Sequence, residues 1–240
     1  SVGLAAAFSA RGLAVQTFKK GPDYIDPMWL AQASGRPCYN LDFNAQSGDE
    51  IDSAYARAAA RADLCLIEGN KGLHDGVDVE GADSSAALAR RLGAPVVLVI
   101  DTLGMTRGVA PLLMGYQAFD RDVNIAGVIL NKVGTPRQES KLRQAVERYT
   151  SLAVLGAVGR EDHAGVAERH LGLTPPLERP RLVETLARLR EAVERGVDLA
   201  ALRAIAESAP APARIEPEPP RARPAIRIAV ARGAAFGVYY

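Results

Sequence analysis

APVVLVID, residues 94–101, decides the fold. Its apolar run from Pro95 to Ile100 is short, rich in β-branched residues and closed by an acid, Asp101. A run of that length without polar alternation reads as a strand buried on both faces, the mark of a parallel sheet. Working outward, similar runs recur at Leu13–Phe18 (LAVQTF), Leu64–Ile67, Ile125–Leu130 (IAGVIL) and, more faintly, Ala153–Val158. Between them, 48–61, 84–92, 108–119 and 137–149 place Ala, Leu or Val at helical spacing against charged residues. Parallel strands require crossover connections, and those crossovers cover both sheet faces. The alternation therefore predicts an α/β fold of three layers around a mainly parallel sheet.

The 240 residues suffice for one large domain, or one and part of another, given roughly 150 residues per domain. With 48% hydrophobic and 24% charged residues the chain reads as globular, which excludes wholesale disorder. Its 29 basic and 28 acidic side chains leave a net charge of +1, with no overall basic surplus for nucleic acid. No apolar run approaches the roughly 18 residues that span a bilayer, and the first residues lack a signal-peptide order. The expectations are a cytoplasmic protein with no nucleic-acid or membrane partner. Cys38 and Cys65, with His74, His163 and His170, make neither a disulfide framework nor a zinc cluster.

The opening SVGLAAAFSARGLAV reads as a helix interior without an N-cap, stopped at Gly12. From Glu207 to Pro224 six prolines fall in eighteen residues, a linker composition. Residues 225–231 (AIRIAVA) then resume as a strand. The expected organisation is one domain over 1–206, a linker over 207–224 and the start of a second, truncated domain over 225–240.

Ligands of open parallel sheets bind beyond the carboxyl ends of the strands. The first strand runs into Lys19-Lys20-Gly21-Pro22-Asp23-Tyr24-Ile25-Asp26-Pro27, the second into 68–76 (EGNKGLHDG), the third into Asp101 and the fourth into Asn131-Lys132. Singly, an acid after a strand also caps loops for structural reasons. Recurring at every strand end, charged and amide groups point to a ligand. Glu68 directly after an apolar strand suits Mg²⁺ held against a phosphate. The glycines of 68–76 let backbone approach a ligand, and Asp75 offers a second carboxylate to the same cleft. GPDYIDP reads as a stiff turn carrying two acids and a phenol, a preorganised site. Neither cysteine has the setting of an activated nucleophile.

FKKGPDYIDP (18–27), SGRP (34–37), NLD (40–42), EGNKGLHDG (68–76), APVVLVID (94–101) and ILNKV (129–133), in that order, resemble the cobyrinic acid a,c-diamide synthase family over residues 1 to about 170. That resemblance implies a P-loop NTPase-like domain of the dethiobiotin-synthetase kind, followed by a glutamine amidotransferase domain. It also implies an ATP- and Mg²⁺-dependent ligase that amidates the a and c acetate groups of a tetrapyrrole with ammonia from glutamine, through an acyl phosphate. Asp26, Glu68 and Asp75 would then be catalytic, and Glu68 with Asp26 would hold the metal. Lys19 and Asn131 would contact nucleotide. Tyr24, Ile25, Arg36, Asn40, Asp42, His74 and Ser85 would line the tetrapyrrole, and a homodimer fits the family.

The resemblance departs in three ways. It would place a glycine-rich phosphate loop about a turn of helix before Ser1, outside these residues, and an amidotransferase cysteine beyond Tyr240. Both point to a piece of a longer enzyme. Within EGNKGLHDG, Asn70, Lys71 and His74 stand where many corrin-synthesising members have apolar residues and a tyrosine. A polar loop suggests different substrate edges, so sirohaem or nickel-sirohydrochlorin amidation is the alternative within the family. An ATPase switch of the partitioning or division-site kind is the alternative from another class, and a nucleotide-independent tetrapyrrole-binding module a third.

Overall fold

The strands form where the apolar runs stand, and they pair in parallel. The computed structural model describes residues 1–70, 72–160, 168–169, 172–173, 175–176, 181–212 and 229–230. In chain order the elements are α1 (Val2–Ala10), β1 (Val15–Lys20), α2 (Ile25–Ser34), β2 (Tyr39–Leu41), α3 (Gly48–Ala59), β3 (Leu64–Glu68), α4 (Ser85–Leu92), β4 (Val96–Asp101), α5 (Val109–Phe119), β5 (Ile125–Val133), α6 (Pro136–Tyr149), β6 (Val154–Gly159), β7 (Glu168–Arg169), β8 (Gly172–Leu173), α7 (Leu182–Gly196) and α8 (Leu199–Glu207). Most of the expected linker and the segment resuming at Ala225 lie outside the described residues.

The parallel strands fall into two half-sheets, ordered β2-β1-β3 and β4-β5-β6. Side chains alternate faces along a strand, and the cores follow that period. Leu98, Ile100, Val128 and Leu130 meet α5 and α6 through Val109, Leu113, Leu142 and Val146. Phe18 and Leu41 meet α3 and α4 through Ile51 and Leu88. The opposite faces of both half-sheets, with Val15, Leu64, Ile129 and Leu155, share one cluster with Phe8 of α1, Ala33 of α2 and Leu199 and Leu202 of α8. The three layers are thus as expected. Each large apolar side chain buried in them contributes about 1.5–3 kcal/mol. Gly3 is required where α1 crosses α7, because a Cβ there would stand 2.5 Å from the Leu189 carbonyl oxygen.

β3 and β4 share no ladder. Both line a cavity of about 590 Å³, apolar along Leu66, Val97 and Leu98 and polar at Lys20, Glu68 and Asn70. The cavity runs along both strands, from Asp63 and Pro95 at their amino ends to Glu68 and Ile100 at their carboxyl ends.

Local capping explains the helix starts. Ser47 accepts the Glu50 N–H while Glu50 accepts the Ser47 N–H, a reciprocal box that opens α3. Thr135 caps α6, whose first residue is Pro136.

GPDYIDP differs from its reading as a turn. The turn ends at Tyr24, and Ile25-Asp26-Pro27 already belong to α2. Proline is tolerated in a first helical turn, where its missing N–H has no intrahelical partner to lose. Trp29, fully buried, anchors this helix. β2, β7, β8, α7 and α8 are additional to the elements expected. β2 has three residues, too few for a periodic signal. α7 does carry the helical pattern, in Leu182, Leu186, Leu189 and Val193.

Candidate functional site

The carboxyl ends of β1 and β3 lie side by side, with Lys19 in register with Glu68. Equal register in a parallel pair puts both side chains on one face. The Lys19 Nζ lies 3.4 Å from Glu68 Oε1 and 3.2 Å from Asp26 Oδ2 on α2. It also donates to the Gly69 carbonyl at 3.0 Å. Lys19 is 5% exposed, so its charge is nearly out of water and needs these partners.

Asp26 is held by its helix start. Asp23 Oδ1 accepts the Ile25 N–H at 3.0 Å and the Asp26 N–H at 3.4 Å. Its own carboxyl is pushed up to about 6, first by burial, then by the negative charges of Glu68 and Asp23; Lys19 opposes them. A carboxyl titrating near neutrality can exchange protons during a reaction. Asp23 is the member of this cluster that sequence reasoning missed as a site residue. Its signal was the spacing Asp23-Tyr24-Ile25-Asp26, an acid just ahead of a helix whose free N–H groups it takes.

The other expected residues divide. Tyr24 and Ile25, half-buried, stand at the start of α2 beside Asp26. Asn40 pairs with Lys19 across β1 and β2 and donates to the Asp23 carbonyl at 2.7 Å, fastening the loop to the sheet. Its Oδ1 is buried without a hydrogen-bond partner. Ser85 accepts the Asn70 N–H at 3.1 Å, tying the loop after β3 to the start of α4.

Four further expected residues have contacts of their own. Arg36 turns to the amino-terminal end of the sheet, bonding the Arg61 carbonyl at 2.9 Å and Gln16 at 3.3 Å. Its long side chain reaches acceptors there that the sequence spacing does not disclose. Asp42, buried, accepts from Asn44 and shapes the loop before α3. The ring of His74 packs on Tyr116 and Phe119 of α5, with centroids 5.8 and 4.8 Å away, where aromatic surface can cover it. Asp75 is exposed, and its carboxylate lies over Gly72, where a Cβ would come within van der Waals distance of it. Lys71, His163 and His170 lie outside the described residues.

On the other half-sheet, Asn131 registers with Asp101 and accepts at its carbonyl from the Thr102 N–H and Oγ1, at 2.9 and 2.8 Å. Lys132 has a left-handed φ of 57° and pairs with Asp101 at 2.6 Å in an exposed bridge. Cys38 is pushed up to about 11, chiefly by burial, which keeps it a thiol.

Asp26 and Glu68 offer oxygen donors of the kind Mg²⁺ prefers, bound by one or two carboxylates and phosphates together. The donor set fits such an ion. Among the described residues no group of three or more His, Cys, Asp or Glu gathers that could hold a metal by itself, so phosphate or water oxygens would complete the shell. Among them, too, no helix is long and apolar enough to cross a membrane.

A family model described as an AAA domain matches residues 23–165. A protein of Magnetococcus marinus named cobyrinate a,c-diamide synthase is 46% identical over all of this chain and 53% of its own length. One of Rhodobacter capsulatus named hydrogenobyrinate a,c-diamide synthase is 43% identical over all of this chain and 55% of its own. The chain belongs to the AAA-domain family of that model and is similar to the cobyrinate and hydrogenobyrinate a,c-diamide synthases. It spans about half the length of the curated synthases it matches. Among solved structures, a MinC:MinD cell division protein complex from Aquifex aeolicus aligns at 12% identity and a TM-score of 0.47, over 87% of this chain and 92% of that one. The AAA-domain match contains Asp26, Glu68 and Asn131, and Lys19 stands just before it. The expected α/β, P-loop NTPase-like class therefore agrees with both the family and the parallel strands.

Proposed function

We propose that this chain is the ligase portion of a glutamine-dependent enzyme that converts the a and c acetate carboxylates of a cobyrinate-type tetrapyrrole to amides, using ATP. The observation that carries this reading is the Lys19–Asp26–Glu68 cluster, buried at the carboxyl edge of a parallel sheet, in a chain whose relatives bear that name.

A carboxylate resists ammonia at neutral pH because its carbonyl carbon is electron-rich and oxide is a poor leaving group. In the proposed reaction a carboxylate oxygen attacks the γ-phosphorus of ATP, the bond to the β-phosphate oxygen breaks, and ADP departs. Ammonia then attacks the carbonyl carbon of the acyl phosphate, the carbon–oxygen bond to phosphate breaks, and a proton leaves the nitrogen. Mg²⁺, when bound, would spread the phosphate charge.

The chain's residues have separate tasks. Lys19, fixed by Gly69, offsets negative charge where carboxylate and phosphate meet. Asp26, titrating near 6, is ionised at neutral pH and takes the proton that the attacking nitrogen sheds. Glu68 holds Lys19 and supplies oxygen for the cation. Tyr24 and Ile25, at the start of the same helix, face the macrocycle and bias which carboxylate reacts first. Asn131, across the cavity, contacts the adenine. Asp75, exposed on its loop, reaches the reacting groups only when that loop closes over substrate. A glutamine amidotransferase portion supplies the ammonia, and the setting is cytoplasmic.

The test supplies the intact enzyme with Mg²⁺-ATP and glutamine, and follows cobyrinate, hydrogenobyrinate and sirohaem by mass spectrometry. Each carboxylate converted to an amide lowers the mass by about one unit, the difference between oxygen and NH. Two steps on a corrinoid are expected. Conversion of sirohaem alone would move the protein to the alternative within its family, and no conversion of any tetrapyrrole would contradict the reading.

A further inference from the structure

Lys19 and Lys20 are neighbours on one strand, so their side chains leave opposite faces of the sheet. Lys19 has three partners within 3.4 Å. Lys20 is 6% exposed, and its ammonium has no hydrogen bond or ion pair among the described residues. An ammonium that reaches a cavity on an otherwise buried stem, with no counter-charge at hydrogen-bond distance, is open to an anion there.

Its surroundings suit that purpose. Lys20 lines the cavity together with Glu68, Gly69, Asn70 and Ser85. The Asn70 side-chain amide lies against Gly21, the residue after Lys20, within 3.7 Å of where a Cβ there would stand. Ser85 begins α4, so the positive end of that helix faces the same wall. Asp83 feels the charge of Lys20, but its oxygens accept the N–H groups of Val77 and Asp78. Glu68 is engaged by Lys19.

We propose that Lys20, with the Asn70 amide and the start of α4, forms an anion subsite that binds a non-reacting oxyanion, either a further carboxylate of the polycarboxylate substrate or a phosphate of the nucleotide. This rests on the amide-ligase reading and assigns its site a specificity residue. Lys20 binds and orients while Lys19, on the other face, serves the reacting group.

The experiment compares the intact enzyme with Lys20→Met and Lys20→Arg. Losing one charge-assisted hydrogen bond raises the affected KM about tenfold or more. Lys20→Met should show that rise, with the change falling on KM more than kcat, and Lys20→Arg should recover most of it. A rise for tetrapyrrole assigns the subsite to a substrate carboxylate, and a rise for ATP assigns it to a phosphate. The melting temperature without ligand should hold or increase in Lys20→Met, because the apolar stem stays buried and the ammonium has no ion pair to lose. Both KM values within twofold of wild type, or a sharply lowered melting temperature, would overturn the proposal. Should the wild-type enzyme amidate no tetrapyrrole, binding still decides. Inorganic phosphate or propane-1,2,3-tricarboxylate should then raise the melting temperature of wild type and not of Lys20→Met, and equal shifts would overturn the subsite.

Discussion

The two half-sheets end differently. At the carboxyl edge of β1 and β3 an ammonium is buried between two carboxylates, one of them pushed toward neutral pH. At the edge of β4 and β5 a lysine and an aspartate meet in solvent, 39% and 51% exposed. Ion pairs in water contribute little and cost little, whereas charges taken out of water cost several kcal/mol and must be offset by close geometry. Both edges could have been built the cheap way. That the first was not marks it as the place where charge is handled.

The largest effect should come from the first edge. Glu68→Gln keeps the shape but removes the charge that holds Lys19, and amidation by the intact enzyme should fall at least ~10²-fold. Residual activity near wild type would erase the contrast between the edges. Folding should depend on both halves alike. Phe18→Ala in the first half and Leu142→Ala in the second remove fully buried side chains, and denaturant unfolding should show losses of about 2–5 kcal/mol in each. A large disparity would mean that one half is loosely assembled.

Asp26→Asn sharpens the comparison through pH. The folded carboxyl titrates near 6 and the free one near 3.8, so the folded state binds the proton more tightly. Stability from this group is present at low pH and declines as pH rises through that window. Asp26→Asn should therefore raise the melting temperature above pH 6, change it little below about pH 4, and lose activity throughout. A gain at low pH instead would reverse the assignment. At the surface, Lys132→Met should change stability by less than ~1 kcal/mol, the small effect expected of the solvated edge.

Much of this was legible in the residues. The apolar runs at 95–100 and 125–130 could only be two-sided strands, and acids and lysines at their ends marked the edge where ligands bind. Lys19, Asp26 and Glu68 meet because strand register and a helix start bring them together; only their common place at the strand ends was readable from the sequence. What long side chains would do was not legible. Arg36 and His74 were placed by acceptors and rings distant in sequence, Gln16 and Arg61 for one and α5 for the other. Pro27 masked a helix as a turn, since proline signals both.

The central claim is that the buried edge of β1 and β3 activates a substrate carboxylate as an acyl phosphate. It is tested most directly by supplying the intact enzyme with a tetrapyrrole carrying ¹⁸O in its carboxylates, with Mg²⁺-ATP and glutamine, and analysing the phosphate released. One ¹⁸O should appear in phosphate for each amide formed, and Glu68→Gln should suppress both together. Amide formed without ¹⁸O in phosphate, or transfer undiminished in Glu68→Gln, would contradict the account.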